Sequence, residues 1–204
     1  MLEVWGGDNP LAELEGYLDD AGFFGAGDLV ADLFLGYRLS AALRRAPWPD
    51  PPEPCRLPLL AARIHPRDER QRATGPFTIG EWRRSWDDAG YTAAIEAVHA
   101  AIGRGDVYQV NLVQHLHAPF AGDPTGLVPR LAPLRPLHPE PLGGDGWTVV
   151  SGSPELFLAR RGHRVWTKPI KGTRPAGVHG ELRESEKDAA EHVMIVDLER
   201  NDLS

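Results

Sequence analysis

The chain reads as a mixture of helices and strands, because helical spacing and strand alternation occupy separate stretches of it. Apolar residues recur at positions 91, 94, 95, 98, 101 and 102, the spacing of one helix face. Residues Val107–His117 alternate, and Trp147–Thr167 divides into short strand-like runs around a turn. A second helical stretch, Glu186–Leu198, opens on a capping serine.

The first helix spans Tyr91–Ile102, with Gly103 and Gly105 as its stop. In the alternating segment Tyr108, Val110, Leu112 and Leu116 share one face. Gln109, Asn111, Val113 and His115 share the other. That pattern predicts a half-buried strand with a wet polar face, or one whose polar face lines a pocket. Further on, Trp147–Val150 and Leu156–Arg160 are strand segments broken by Ser151-Gly152-Ser153-Pro154. Arg161-Gly162 is the expected two-residue turn and His163–Thr167 the returning strand. In that register residue 160 pairs with 163 and residue 155 with 168. Lys171 then lies three residues past the partner of Glu155, at most about 10 Å along an extended chain. The bend at Pro169 shortens the gap.

At the last helix, Ser185-x-x-Asp188 resembles a capping box with Asp in place of Glu or Gln. Glu191 shares a side with Met194, Ile195 and Leu198. A carboxylate among apolar neighbours costs free energy unless it is paired, protonated or bound to a cation. Glu191 is therefore a candidate metal ligand; the alternatives are a salt bridge to an arginine such as Arg200, or exposure at the edge of the face.

Upstream the text is less regular. Residues 1–46 are apolar and acidic with a helix-like stretch at Leu11–Leu18, and Asp32–Leu43 fits a strand or a helix. Pro47–Pro58 reads as an extended connector, residues 63–76 as loop, and Pro119–Pro141 as a second proline-rich region. A new organisation begins near Thr78, which divides the chain into a region 1–77 and a region 78–204.

Composition narrows the function. The 204 residues suffice for one core, or one and a half domains. With 22 basic and 29 acidic side chains the net charge is −7, which gives no support to a nucleic-acid partner. A site for an anion must then be locally positive. Cys55 is the single cysteine, so no internal disulfide forms, which fits a cytoplasmic location. No apolar run has membrane-spanning length, and the start lacks a signal-peptide pattern.

The richest chemistry lies in Thr167-Lys168-Pro169-Ile170-Lys171-Gly172-Thr173-Arg174-Pro175. It sets Lys171 between a proline-fixed bend and a Gly-Thr step. A lysine held in such a bend serves as an amine nucleophile once its surroundings lower its pKa. Ser153-Pro154-Glu155 precedes it and the Ser185–His192 helix start follows.

Four blocks in order carry a resemblance: Gly105-Asp106-Val107-Tyr108-Gln109-Val110-Asn111-Leu112; Ser153-Pro154-Glu155-Leu156-Phe157-Leu158; Pro169-Ile170-Lys171-Gly172-Thr173-Arg174-Pro175; and Ser185–Leu203 with Arg200-Asn201-Asp202-Leu203. On these residues the chain resembles the chorismate-utilising enzymes, a family that includes anthranilate, aminodeoxychorismate, isochorismate and salicylate synthases; residues 1–77 match only poorly. The α+β class follows mainly from this resemblance, which implies part of the anthranilate-synthase-type fold, with packed antiparallel sheets and outer helices. Water-adding members carry a lysine base where this chain has Gln109, and anthranilate-forming members carry alanine where it has Lys171. The Lys form is similar to aminodeoxychorismate synthase component I.

The implied reaction is amination of chorismate to 4-amino-4-deoxychorismate, on the route to p-aminobenzoate and folate. The resemblance makes Lys171 the nucleophile and Glu155 the general acid, with Gly172, Thr173 and Gln109 at the substrate. It makes Glu191 a ligand of magnesium (Mg2+), and a glutamine amidotransferase subunit the source of ammonia. Two departures stand out. Family members continue well past the Arg-Asn-Asp-Leu block, so a C-terminally truncated fragment is expected, without the second magnesium glutamate and part of the substrate cradle. Ala176 stands where the family commonly has arginine. The alternatives are an anthranilate synthase component I-like enzyme, or a non-catalytic remnant that binds a partner or ligand.

Overall fold

A computed structural model describes residues 1–43, 55–69, 75–175 and 179–204. In chain order the elements are β1 (Leu2–Val4), α1 (Pro10–Asp20), β2 (Leu29–Leu35), β3 (Leu60–Pro66), β4 (Phe77–Ile79), β5 (Arg83–Arg84) and α2 (Asp88–Arg104). Then come β6 (Leu116–His117), β7 (Phe120–Gly122), α3 (Val128–Leu131), β8 (Leu142–Gly144) and β9 (Trp147–Val149). The last are β10 (Leu156–Arg161), β11 (Arg164–Lys168), α4 (His179–Glu184) and α5 (Glu186–Leu203). This is the mixed α+β class that the sequence predicts, with antiparallel pairing throughout the described strands. The connector at Pro47–Pro58 lies outside the described residues up to position 54, as does Ala176.

Two compact units result: Met1–Gly126 with Leu142–Val149, and Leu127–Pro141 with Val150–Ser204. In the first, β3 is the middle strand of a sheet ordered β1-β3-β2. Leu60, Ala61 and Ala62 are fully buried there because both edges of their strand are paired. Leu142 and Trp147, from the β8–β9 hairpin, close over Ala61 together with Phe34, Leu57 and Val149. The Phe34 and Trp147 rings meet at 6.0 Å between centroids.

The strand-or-helix ambiguity at Asp32–Leu43 resolves into both. β2 ends at Leu35, and a 3-10 turn over Tyr37–Leu43 follows Gly36. Gly36 donates to the Leu59 carbonyl at 2.8 Å, and a Cβ there would stand 3.0 Å from the same oxygen, so a side chain is disfavoured at this junction.

The loop expected over 63–76 is corrected at its start, since Arg63–Pro66 completes β3. Its polar residues carry no period because they are satisfied across the strands. Arg63 Nη2 donates to Asp32 Oδ2 at 2.8 Å, and His65 Nε2 lies 2.9 Å from the same oxygen.

Helix α1 contains the expected Leu11–Leu18 and begins on an Asn9 cap with Pro10 in the first turn. Helix α2 contains the expected Tyr91–Ile102. Asp87 caps it by accepting from the Gly90 N–H at 2.7 Å, and Gly105 ends it at φ 77. Gly103 lies inside the helix, so Gly105 alone is the stop.

The strand predicted over Val107–His117 is also corrected: only Leu116–His117 pairs, opposite Arg83–Arg84. Alternation describes side chains, but a strand also needs a backbone partner. Over 113–115 the Trp86 Nε1 donates to the Val113 carbonyl and Gln114 Nε2 donates to the Trp86 carbonyl, while Ser85 Oγ accepts from the His115 N–H.

In the second unit, β10 and β11 form the expected hairpin with a shifted register. Arg161 pairs with Arg164 and Arg160 with Val165, so Gly162-His163 makes the turn in place of Arg161-Gly162. Gly162 sits at φ 59, the positive value that primed hairpin turns require of their first central residue. An irregularity between Leu156 and Ala159 then changes the register, and Leu156 faces Lys168. Helix α5 follows its Ser185 cap as expected but continues past Leu198 to Leu203. Among the described residues no helix is long and apolar enough to cross a membrane.

Candidate active site

The end of the β10–β11 hairpin sets the geometry. Ser153 Oγ accepts from the Glu155 N–H at 3.3 Å, a local turn that starts β10. Thr167 Oγ1 donates to the Leu156 carbonyl at 3.0 Å and holds the end of β11 beside it. Past Lys168 the chain leaves the ladder at Pro169, which has no N–H to give. The next N–H, that of Ile170, donates to Glu155 Oε1 at 2.7 Å. The carboxylate therefore grips the backbone one residue before Lys171, which brings the two predicted groups closer than the extended-chain bound required.

Lys171 is half-buried and turns to α5, where its Nζ lies 3.3 Å from Glu191 Oε1. Gly172 takes φ 76 immediately after, a left-handed turn that a side chain would strain. Thr173 is exposed. Arg174 Nη2 then donates to Asp188 Oδ2 at 2.9 Å. The site thus gathers an amine and a carboxylate partner on one side of the loop, and a second carboxylate on its backbone.

Glu191 is ion-paired with Lys171. The apolar neighbours that made it notable are themselves partly open: Met194 is 36% and Leu198 44% exposed. A solvent-touched pair of this kind contributes roughly 0–1 kcal/mol, so it holds Lys171 reversibly. Among the described residues no cluster of three or more His, Cys, Asp or Glu could hold a metal. Glu191 offers one hard oxygen donor, which is what magnesium takes when water and substrate fill its other positions. Gln109 belongs to the first unit, on the irregular stretch before β6, and is exposed.

Arg174 and Asp188 form a second ion pair between the loop and α5, one that the sequence motifs gave no role. Ser185 hydrogen-bonds Asp188, and the Arg174 guanidinium stands beside it; together they hold the Asp188 carboxyl below its usual value. The signal was present as spacing. Lys171 and Arg174 are three apart on the loop, and Asp188 and Glu191 are three apart on one helix face.

Residues 41–204 match the chorismate binding enzyme family. The chain belongs to that family. It is 35% identical to aminodeoxychorismate synthase component 1 of Bacillus subtilis over 144 residues, covering 65% of this chain and 30% of the relative. It is 37% identical to anthranilate synthase component 1 of Streptomyces coelicolor over 180 residues, covering 81% of this chain and 32% of the relative. A Haloarcula marismortui anthranilate synthase component 1 is 42% identical over 121 residues, 53% of this chain and 24% of the relative. The chain thus spans less than a third of the length of these curated relatives.

Proposed function

We propose that this chain, as the first part of a chorismate-binding catalytic domain over residues 78–204, carries the nucleophile and the acid that aminate chorismate to 4-amino-4-deoxychorismate. The observation that carries the reading is the pairing of Lys171 with Glu191 on a loop whose backbone is held by Glu155. The unprotonated Lys171 amine attacks C2 of chorismate, both ring double bonds shift along the ring, and the C4 hydroxyl departs as water with a proton from Glu155. A hydroxide is a poor leaving group, so positioned protonation is worth about 10²–10⁴ in rate. Ammonia then adds at C4 and loses a proton, both double bonds return, and the lysine leaves as its amine.

Gly172 lets the loop backbone approach the ring and Thr173 offers a hydroxyl. Glu191 would hold magnesium, which when bound supplies positive charge to the ring carboxylate. The ammonia comes from a glutamine amidotransferase partner, in the cytoplasm, for p-aminobenzoate and folate synthesis.

Incubation with chorismate and magnesium but no ammonium tests the reading. Intact mass should rise by one chorismate less one water, on Lys171, and Lys171→Ala should abolish the adduct. Absence of any adduct, or one on another residue, sinks it. The anthranilate synthase reading is favoured by the names of the Streptomyces and Haloarcula relatives. Added ammonium separates the two, because anthranilate is fluorescent and aminodeoxychorismate is not.

A further inference from the structure

The lysine loop lies on α5 through two ion pairs in a ladder. Lys171 meets Glu191, and three residues later along the loop Arg174 meets Asp188, three residues earlier along the helix. The loop therefore runs antiparallel to the first turns of α5. With the Glu155 carboxylate on the Ile170 N–H, it is anchored on both sides of Lys171. Of the two rungs, Arg174–Asp188 is the shorter, 2.9 Å against 3.3 Å. Its carboxylate is also the better covered, with the Asp188 side chain 15% exposed against 29% for Glu191.

Asp188 stands where a capping box would have Glu or Gln reaching back to the cap residue. Here the Asp188 N–H donates to Ser185 Oγ and the carboxylate turns to Arg174. The acidic residue at this helix start thus ties α5 to the loop.

We propose that Arg174 and Asp188 are positioning residues: their ion pair fixes the loop on α5 and so holds the Lys171 amine beside Glu191. The guanidinium has a planar fork that a lysine lacks, so charge alone does not replace it. The proposal rests on the reading of Lys171 as nucleophile for its meaning in catalysis, but its test does not use chorismate.

The purified chain is acylated with a limiting amine reagent, acetic anhydride, and each lysine is quantified by peptide mass. Lys168 and Lys187, both exposed, serve as internal references. In Arg174→Ala, Lys171 labelling relative to these references should rise about five-fold, the effect of opening an equilibrium by about 1 kcal/mol. Asp188→Asn should do the same. Arg174→Lys should fall between, and the exchanged pair Arg174→Asp with Asp188→Arg should return Lys171 towards the parent rate. Unchanged Lys171 labelling in Arg174→Ala overturns the proposal. So does a rise that comes with lost amide-exchange protection across α5, because the pair would then act on helix stability. Should Arg174→Ala fail to fold, Arg174→Lys and the exchanged pair carry the same comparison. A missing chorismate adduct in the parent chain would remove the nucleophile reading and leave the labelling result standing.

Discussion

Asp188 shows how one side chain can belong to both a helix start and a loop. Ser185 chiefly, and the Arg174 guanidinium with it, favour its ionised form, so its carboxyl titrates below the usual aspartate range. A carboxyl depressed on folding contributes stability that is present above its unfolded pKa and lost as pH falls through the folded one. The loop–helix rung should therefore persist through the ordinary carboxylate range and give way only at more acid pH. Amide exchange in residues 170–174 against pH checks this. Protection should drop in the acid range for the parent and be weaker, with no such acid step, in Asp188→Asn. A step of the same size in both proteins would assign it to another group.

At the scale of elements, what reads directly from the sequence is what is decided locally. Helix α2 has its apolar positions 91, 94, 95, 98 and 101 on the partly covered side, and Ser185 caps α5, because both depend on neighbours within a turn or two. Lys171, Glu155 and Glu191 stood out as candidates because their blocks are short and ordered, and the structure brings them to one loop. Strand β3 did not, since its C-terminal half carries two polar residues: Arg63 and His65 make sense only opposite Asp32, some thirty residues earlier. The hairpin slipped in register for a related reason, as the turn depends on which residue takes positive φ, and Gly162 fits two frames.

The Asp32 network gives an element-scale prediction. Its carboxylate is 7% exposed, and Arg63 and His65 are 16% and 10% exposed. Removing one partner of a largely buried ionic group costs about 3 kcal/mol or more, because the others are left desolvated. Asp32→Ala should lower the unfolding free energy of the β1-β3-β2 sheet by about that amount in urea, followed by tryptophan fluorescence. A loss under about 1 kcal/mol would place the network with ordinary exposed ion pairs.

For the whole molecule, charge and the proposed substrate pull in opposite directions. Chorismate is a dianion and the chain carries a net charge of −7, so long-range attraction does not bring them together. Binding must rely on local positive charge, and at the candidate site Lys171 is already opposed by Glu191. A divalent cation on Glu191 resolves the conflict, since it would neutralise that carboxylate and face the substrate with positive charge. Chelating magnesium should then weaken chorismate binding by about tenfold, equivalent to about 1.4 kcal/mol, as read by calorimetric titration. Glu191→Gln should bind more weakly with magnesium present and respond little to chelation, because the donor that couples metal to substrate is gone. If Glu191→Gln keeps the full magnesium dependence of the parent chain, the cation is held elsewhere, and Glu191 serves Lys171 alone.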